Sequence, residues 1–152
     1  TDLGSADITA DHADVTYTLL NSGSAELSLI GSAPYVSISG THAADFSIVA
    51  NPATSIVAGD STAFTVRFNP SATGLRTATL SIANSDADEN PFTFAIQGMG
   101  TASPEMEIMA GPELILDGDL TPSVEDHTDF GSNDIVSDQT TYTFTINNTG
   151  SG

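Results

Sequence analysis

The stretch Thr62-Ala-Phe-Thr-Val-Arg-Phe-Asn-Pro70 decides the architecture. Phe64, Val66 and Phe68 stand at every second position with Thr65 and Arg67 between them. In an extended chain that spacing puts three apolar side chains on one face and polar ones on the other, and Asn69-Pro70 then stops the strand. The same period-two pattern recurs in Leu80 and Ile82, in Phe92, Phe94 and Ile96, and in Tyr142, Phe144 and Ile146. Helical periodicity is hard to find. The pattern predicts strands over Val15–Leu20, Glu26–Ile30, Tyr35–Ser39, Phe46–Ala50, Thr62–Phe68, Leu75–Ala83, Pro91–Gln97, Glu105–Met109, Glu113–Leu116 and Thr141–Asn147. Short strands separated by Gly, Pro, Asn and Asp turns predict an all-β antiparallel sandwich.

Composition narrows the setting. The 152 residues carry twenty Asp and Glu against two Arg and no Lys, a net charge of -18. Such a surface repels nucleic acid and anionic membranes and attracts divalent cations, so no nucleic-acid partner is expected. Absence of Cys excludes disulfides and thiolate metal sites, and absence of Lys excludes Lys-to-Asn cross-links. No apolar run approaches the ~20 residues of a membrane span, so no membrane insertion is expected within this segment. The chain opens on Thr1, as a processed product or an internal window of a longer protein would.

The chain also repeats itself. Shifted by 127 positions, Thr128-Asp-Phe-Gly-Ser-Asn-Asp-Ile lies on Thr1-Asp-Leu-Gly-Ser-Ala-Asp-Ile, and Asn148-Thr-Gly-Ser lies on Asn21-Ser-Gly-Ser; twelve of the 25 overlapping positions are identical. A period of about 127 residues is a domain array, since a solenoid turn takes ~20–50. Residues 1–101 are expected to form one sandwich unit lacking its opening strands, residues 102–104 a linker, and residues 105–152 the opening strands of the next repeat, donated to a neighbour or folded back.

Several strings carry a resemblance to a known family. They are Asp117-Gly-Asp, Thr128-Asp-Phe-Gly, Thr145-Ile-Asn-Asn-Thr-Gly, Ile38-Ser-Gly-Thr-His-Ala-Ala-Asp-Phe, Phe64-Thr-Val-Arg-Phe-Asn-Pro, Thr73-Gly-Leu-Arg-Thr-Ala and Asp88-Glu-Asn-Pro-Phe-Thr-Phe. Together they resemble the choice-of-anchor D group of secreted bacterial surface proteins. The resemblance implies immunoglobulin-like tandem repeats related to Hydin-type ASH modules, in long extracellular proteins with varied anchors. It implies no single biochemical activity.

Candidate sites are few. Asp117, Asp119, Glu125, Asp126 and Asp129 gather five carboxylates in thirteen residues of loop, and calcium takes several hard oxygen ligands in flexible geometry. A solvated acidic loop, with Asp and Gly shaping turns, is the alternative. Asp86-Ala-Asp88-Glu89-Asn90 opens like a calcium loop but lacks the later Gly and Glu, and reads as a hairpin turn. His12, His42 and His127 are too scattered for zinc. No nucleophile elbow or phosphate loop occurs, so the chain is expected not to be an enzyme. Arg67 and Arg76 are expected to pair with acidic neighbours across strands. Asn147-Asn-Thr matches a glycosylation acceptor, but the aligned Asn21-Ser-Gly favours a turn.

The expected function is that of a secreted or cell-surface structural segment, a filament, stalk or matrix fibre. Its partners would be copies of itself or adjacent repeats in a head-to-tail array, with strand complementation as the link. The alternative is an adhesin or carbohydrate-binding module, calcium-dependent in one version.

Overall fold

The computed structural model describes residues 1–9, 12–136 and 139–151. They fall into two compact units, Thr1–Ala102 and Ser103–Gly152.

The first unit is a β-sandwich. One sheet runs in the order β1 (Asp2–Asp7), β9 (Phe92–Thr101), β8 (Gly74–Ile82), β4 (Val36–Ser39). The facing sheet runs β2 (Ala13–Leu20), β7 (Ser61–Phe68), β5 (Phe46–Ala50), and a short pair, β3 (Leu27–Ser28) with β6 (Ser55–Ile56), closes one end. Pairing is antiparallel except between β1 and β9. The opening motif behaves as its spacing requires: Phe64, Val66 and Phe68 are all buried. They meet Leu80, Ile82 and Ile96 from the opposite sheet in one core. Phe46 stacks on Phe68 at 5.0 Å and Tyr17 on Phe64 at 5.3 Å. Gly98 belongs to this packing, because a Cβ there would stand 2.5 Å from the Phe68 ring.

Two strands escape the sequence reading, β1 and β6. In β1 the buried residues are Leu3 and Ala6, three apart. Gly4 adopts φ +88° and the register with β9 shifts between Asp2 and Ser5, so an irregularity breaks the alternation on which a period-two reading depends. Conversely, the strand expected over Glu26–Ile30 shrinks to two residues, and Tyr35 sits at φ 64°, outside β4.

The second unit is smaller: β10 (Met106–Ala110), β11 (Glu113–Ile115) and β12 (Phe144–Asn148) form a sheet in the order β11-β10-β12. Ala110 is its one fully buried apolar residue among those described, while Met106 and Ile146 are 67% and 70% exposed. Thr128–Asp134, the counterpart of Thr1–Asp7, forms no strand here. In the first unit that sequence pairs with β9. A strand of such weak propensity needs a partner ladder, and among the described residues the second unit offers none equivalent to β9.

Candidate functional site

The first unit leaves one sandwich edge uncovered. Among the described residues β2 is hydrogen-bonded to β7 alone, and its outer edge carries no partner strand. Its inward side chains Val15, Tyr17 and Leu19 are only half buried, whereas those of β7 are sealed. Across the sandwich, β1 covers β9 only from Gln97 to Thr101, so Phe92 remains 45% exposed. Between these edges lies a groove of about 480 Å³ lined by Tyr17, Leu19, Leu27, Phe64, Phe92 and Phe94 among others. Among the described residues the buried Tyr17 hydroxyl has no hydrogen-bond partner, and burial pushes its pKa up. An apolar groove beside an unpaired strand edge can accept an extended segment, whose backbone pairs with β2 while its side chains fill the groove.

Buried asparagines hold the groove's rim, and sequence reasoning did not single out their packing. Asn21 donates to the carbonyls of Ala25 and Ile56, both at 2.8 Å, and its Oδ1 accepts the Gly23 amide at 3.0 Å. Asn84 donates to the carbonyls of Ile82 and Glu89 and accepts the Asp86 amide. That ties down the Asp86–Asn90 turn, in which Asp88 donates its amide to Asp86. The neighbouring Asp88 carboxylate raises the Asp86 pKa. The signal for such residues is an Asn directly after an alternating run and before a Gly or Asp turn.

The two arginines have different roles. Arg67 makes a two-pronged contact with Asp14, its direct partner across β7 and β2, through Nε and Nη2 at 2.8 Å each. That hydrogen bond lowers the Asp14 pKa and raises that of Arg67, at the surface. Arg76 instead reaches Asp45 in the 3₁₀ turn Ala43–Asp45, Nε to Oδ2 at 3.4 Å, and donates to the Ala72 carbonyl. Asp45 is 4% exposed, so this pair is internal, where modest cross-strand pairing was expected.

The acidic loop is arranged around turns. Asp119 Oδ1 accepts the Thr121 amide and hydroxyl, Asp126 Oδ1 those of Thr128, and Asp129 Oδ1 the Gly131 amide. These bonds lower the pKa values of Asp119 and Asp126. Asp117 and Glu125 complete the set. Among the described residues no group of three or more His, Asp or Glu side chains is placed so as to hold a metal ion. His127 stacks on Tyr142 at 4.2 Å. No helix among the described residues is long and apolar enough to cross a membrane.

No family model matches the chain, and no curated protein does. Solved structures do. A protein of unknown function from Porphyromonas gingivalis W83 is similar at 18% identity and TM-score 0.51, over 64% of this chain and 42% of that one. The secreted serine protease VesC from Vibrio cholerae is similar at 19% identity and TM-score 0.49, over 73% of this chain and 22% of that one. The ASH / PapD-like domain 7 of human CEP192 is similar at 13% identity and TM-score 0.41, over 64% of this chain and 80% of that domain. The chain thus spans less than half the length of the first two. The expectation that it is not an enzyme is withdrawn, because a protease is among the solved structures it resembles. At that identity and TM-score the likeness assigns no activity. The fold itself is an all-β, immunoglobulin-like sandwich, as the alternation predicts.

Proposed function

We propose that the chain is a structural segment of an extracellular bacterial surface protein of the choice-of-anchor D kind, in which immunoglobulin-like units follow one another head to tail. The observation that carries this reading is the recurrence of one local structure in both units. The Gly23 amide donates to Asn21 Oδ1 at 3.0 Å directly after β2. One repeat later, the Gly150 amide donates to Asn148 Oδ1 at 3.1 Å directly after β12. Sequence and turn geometry recur together, as they do when one domain type is strung in series. The charge of -18, with no Cys, suits a saline exterior in which counterions screen the surface.

A carbohydrate-binding reading has less behind it. Tyr17, Phe64 and Phe94 pack on one another at 5.3 and 5.5 Å, which leaves few open ring faces for a sugar. Light scattering and electron microscopy on the purified chain test the structural reading. End-to-end oligomers that disappear when residues 105–152 are deleted are expected, and a well-folded monomer at every concentration and salt would refute it.

A further inference from the structure

We infer that the outer edge of β2 is an acceptor for β10 of a second copy of this chain, with Met106 opposite Asn21, Ile108 opposite Leu19 and Ala110 opposite Tyr17. This rests on the head-to-tail reading above and names the contact that would carry it.

The second unit displays the arrangement. There β10 pairs antiparallel with β12, placing Met106 against Asn148, Ile108 against Ile146 and Ala110 against Phe144. The 127-residue repeat maps those three β12 positions onto Asn21, Leu19 and Tyr17 of β2. In the second unit, therefore, the strand equivalent to β2 has its edge filled. Two details at the turn agree. Asn148 Oδ1 accepts the Glu105 amide as well as that of Gly150, whereas Asn21 Oδ1, among the described residues, accepts the Gly23 amide. A Cβ on Gly150 would collide with Ser103, Pro104 and Glu105, the lead-in to β10, whereas one on Gly23 would meet only Asn21 Oδ1. The glycine recurs at the position beside which the incoming chain passes, and among the described residues of the first unit that space is open.

Side-chain chemistry matches as well. Directly opposed residues of an antiparallel pair face the same side, so Met106, Ile108 and Ala110 would turn with Leu19 and Tyr17 into the apolar groove. In the second unit Met106 is two-thirds exposed. Exchange therefore replaces one set of backbone hydrogen bonds with an equivalent set and adds apolar cover.

The same chain cannot supply the strand in this register. Asn21 lines the groove at the Phe92 end of β9. The ten residues of β9 carry the chain about 30 Å from there to Thr101. The linker from Thr101 to Met106 extends at most ~18 Å. The donor must come from another polypeptide copy, and a contact between unlike surfaces propagates into an open array.

The test adds a synthetic peptide of residues 103–112 to the full-length chain and follows amide NMR spectra. The expected result is saturable shifts confined to Thr16–Gly23 and the groove. A spin label on the peptide beside Met106 should broaden Asn21 more than Ala13. A peptide carrying Ile108→Asp should bind at least tenfold more weakly, and since that change is made in the peptide, folding of the acceptor is not in question. Equal binding of the Ile108→Asp peptide, no binding, or broadening centred on another strand edge would overturn the assignment. Light scattering on full-length Ile108→Asp separates the two claims. Arrays that persist would overturn this contact and leave the serial reading standing. A wild-type chain that binds the peptide yet stays monomeric would uphold the contact and sink the serial reading.

Discussion

The pair Leu3→Ala and Phe130→Ala puts one repeated position into two environments. Leu3 is 5% exposed within the sandwich core, while Phe130, its counterpart 127 residues on, is 47% exposed and rests on Tyr142 at 5.2 Å. Leu3→Ala removes three carbons at about 0.8 kcal/mol per buried CH₂, or ~2.4 kcal/mol. The residual cavity adds to that, but β1 lies at the sheet edge where neighbours can relax, so a total of about 3 kcal/mol is expected, at the lower end for Leu→Ala changes. Phe130→Ala forfeits a half-exposed ring and one aromatic contact, about 1 kcal/mol, and confines that loss to the second unit. Urea titration followed by resolved amide resonances, Leu80 and Ile96 for the first unit and Ile108 for the second, measures each separately. A loss below ~1 kcal/mol for Leu3→Ala would refute the packing of β1 as a core strand. Destabilisation of the first unit by Phe130→Ala would refute the division of the chain.

Arg76→Met should cost the first unit about 3 kcal/mol, because it strands the buried Asp45 carboxylate, and adding Asp45→Asn should recover part of that. Arg67→Met, at the exposed pair with Asp14, should leave the urea midpoint nearly unchanged; equal losses at both sites would contradict the burial argument. In pH titration at ~0.01 M salt, where the Debye length is about 30 Å, the melting temperature should rise as pH falls from 7 and self-repulsion eases. Asp2, Asp14, Asp119 and Asp126 have folded pKa values below 3.8, so their contributions are present above that pH and are lost as pH falls through the folded values. Asp86 works in the opposite sense, since its protonated form shares a hydrogen bond with the Asp88 carboxylate. A steady fall from pH 7 downward would count against the charge reading. Calcium on the Asp117–Asp129 loop is tested by comparing melts in calcium and magnesium. With Asp119 and Asp126 held by Thr121 and Thr128, equal rises from screening are expected; a calcium-selective rise abolished by Asp126→Asn would establish a site.

Alternation along Thr62–Phe68, Leu75–Ala83 and Pro91–Gln97 was enough to place the central strands and the sandwich core, because a fully paired strand repeats its burial every two residues. The turns at Asn21 and Asn148 were legible for the same local reason: an Asn followed two residues on by Gly shapes its own backbone. Whether Thr1–Asp7 and its near-copy Thr128–Asp134 form strands was not written in either, since β1 exists only where β9 offers it a ladder. The burial of the Asp45–Arg76 pair and the hydrogen-bonded turns at Asp119, Asp126 and Asp129 also needed three dimensions. Sequence alone determined the all-β character, the match of residues 128–152 to residues 1–25 and the list of strands that could pair. Only the tertiary structure decided which edge stays open, because an edge is defined by the absence of a partner, and partners in a sandwich come from distant parts of the chain.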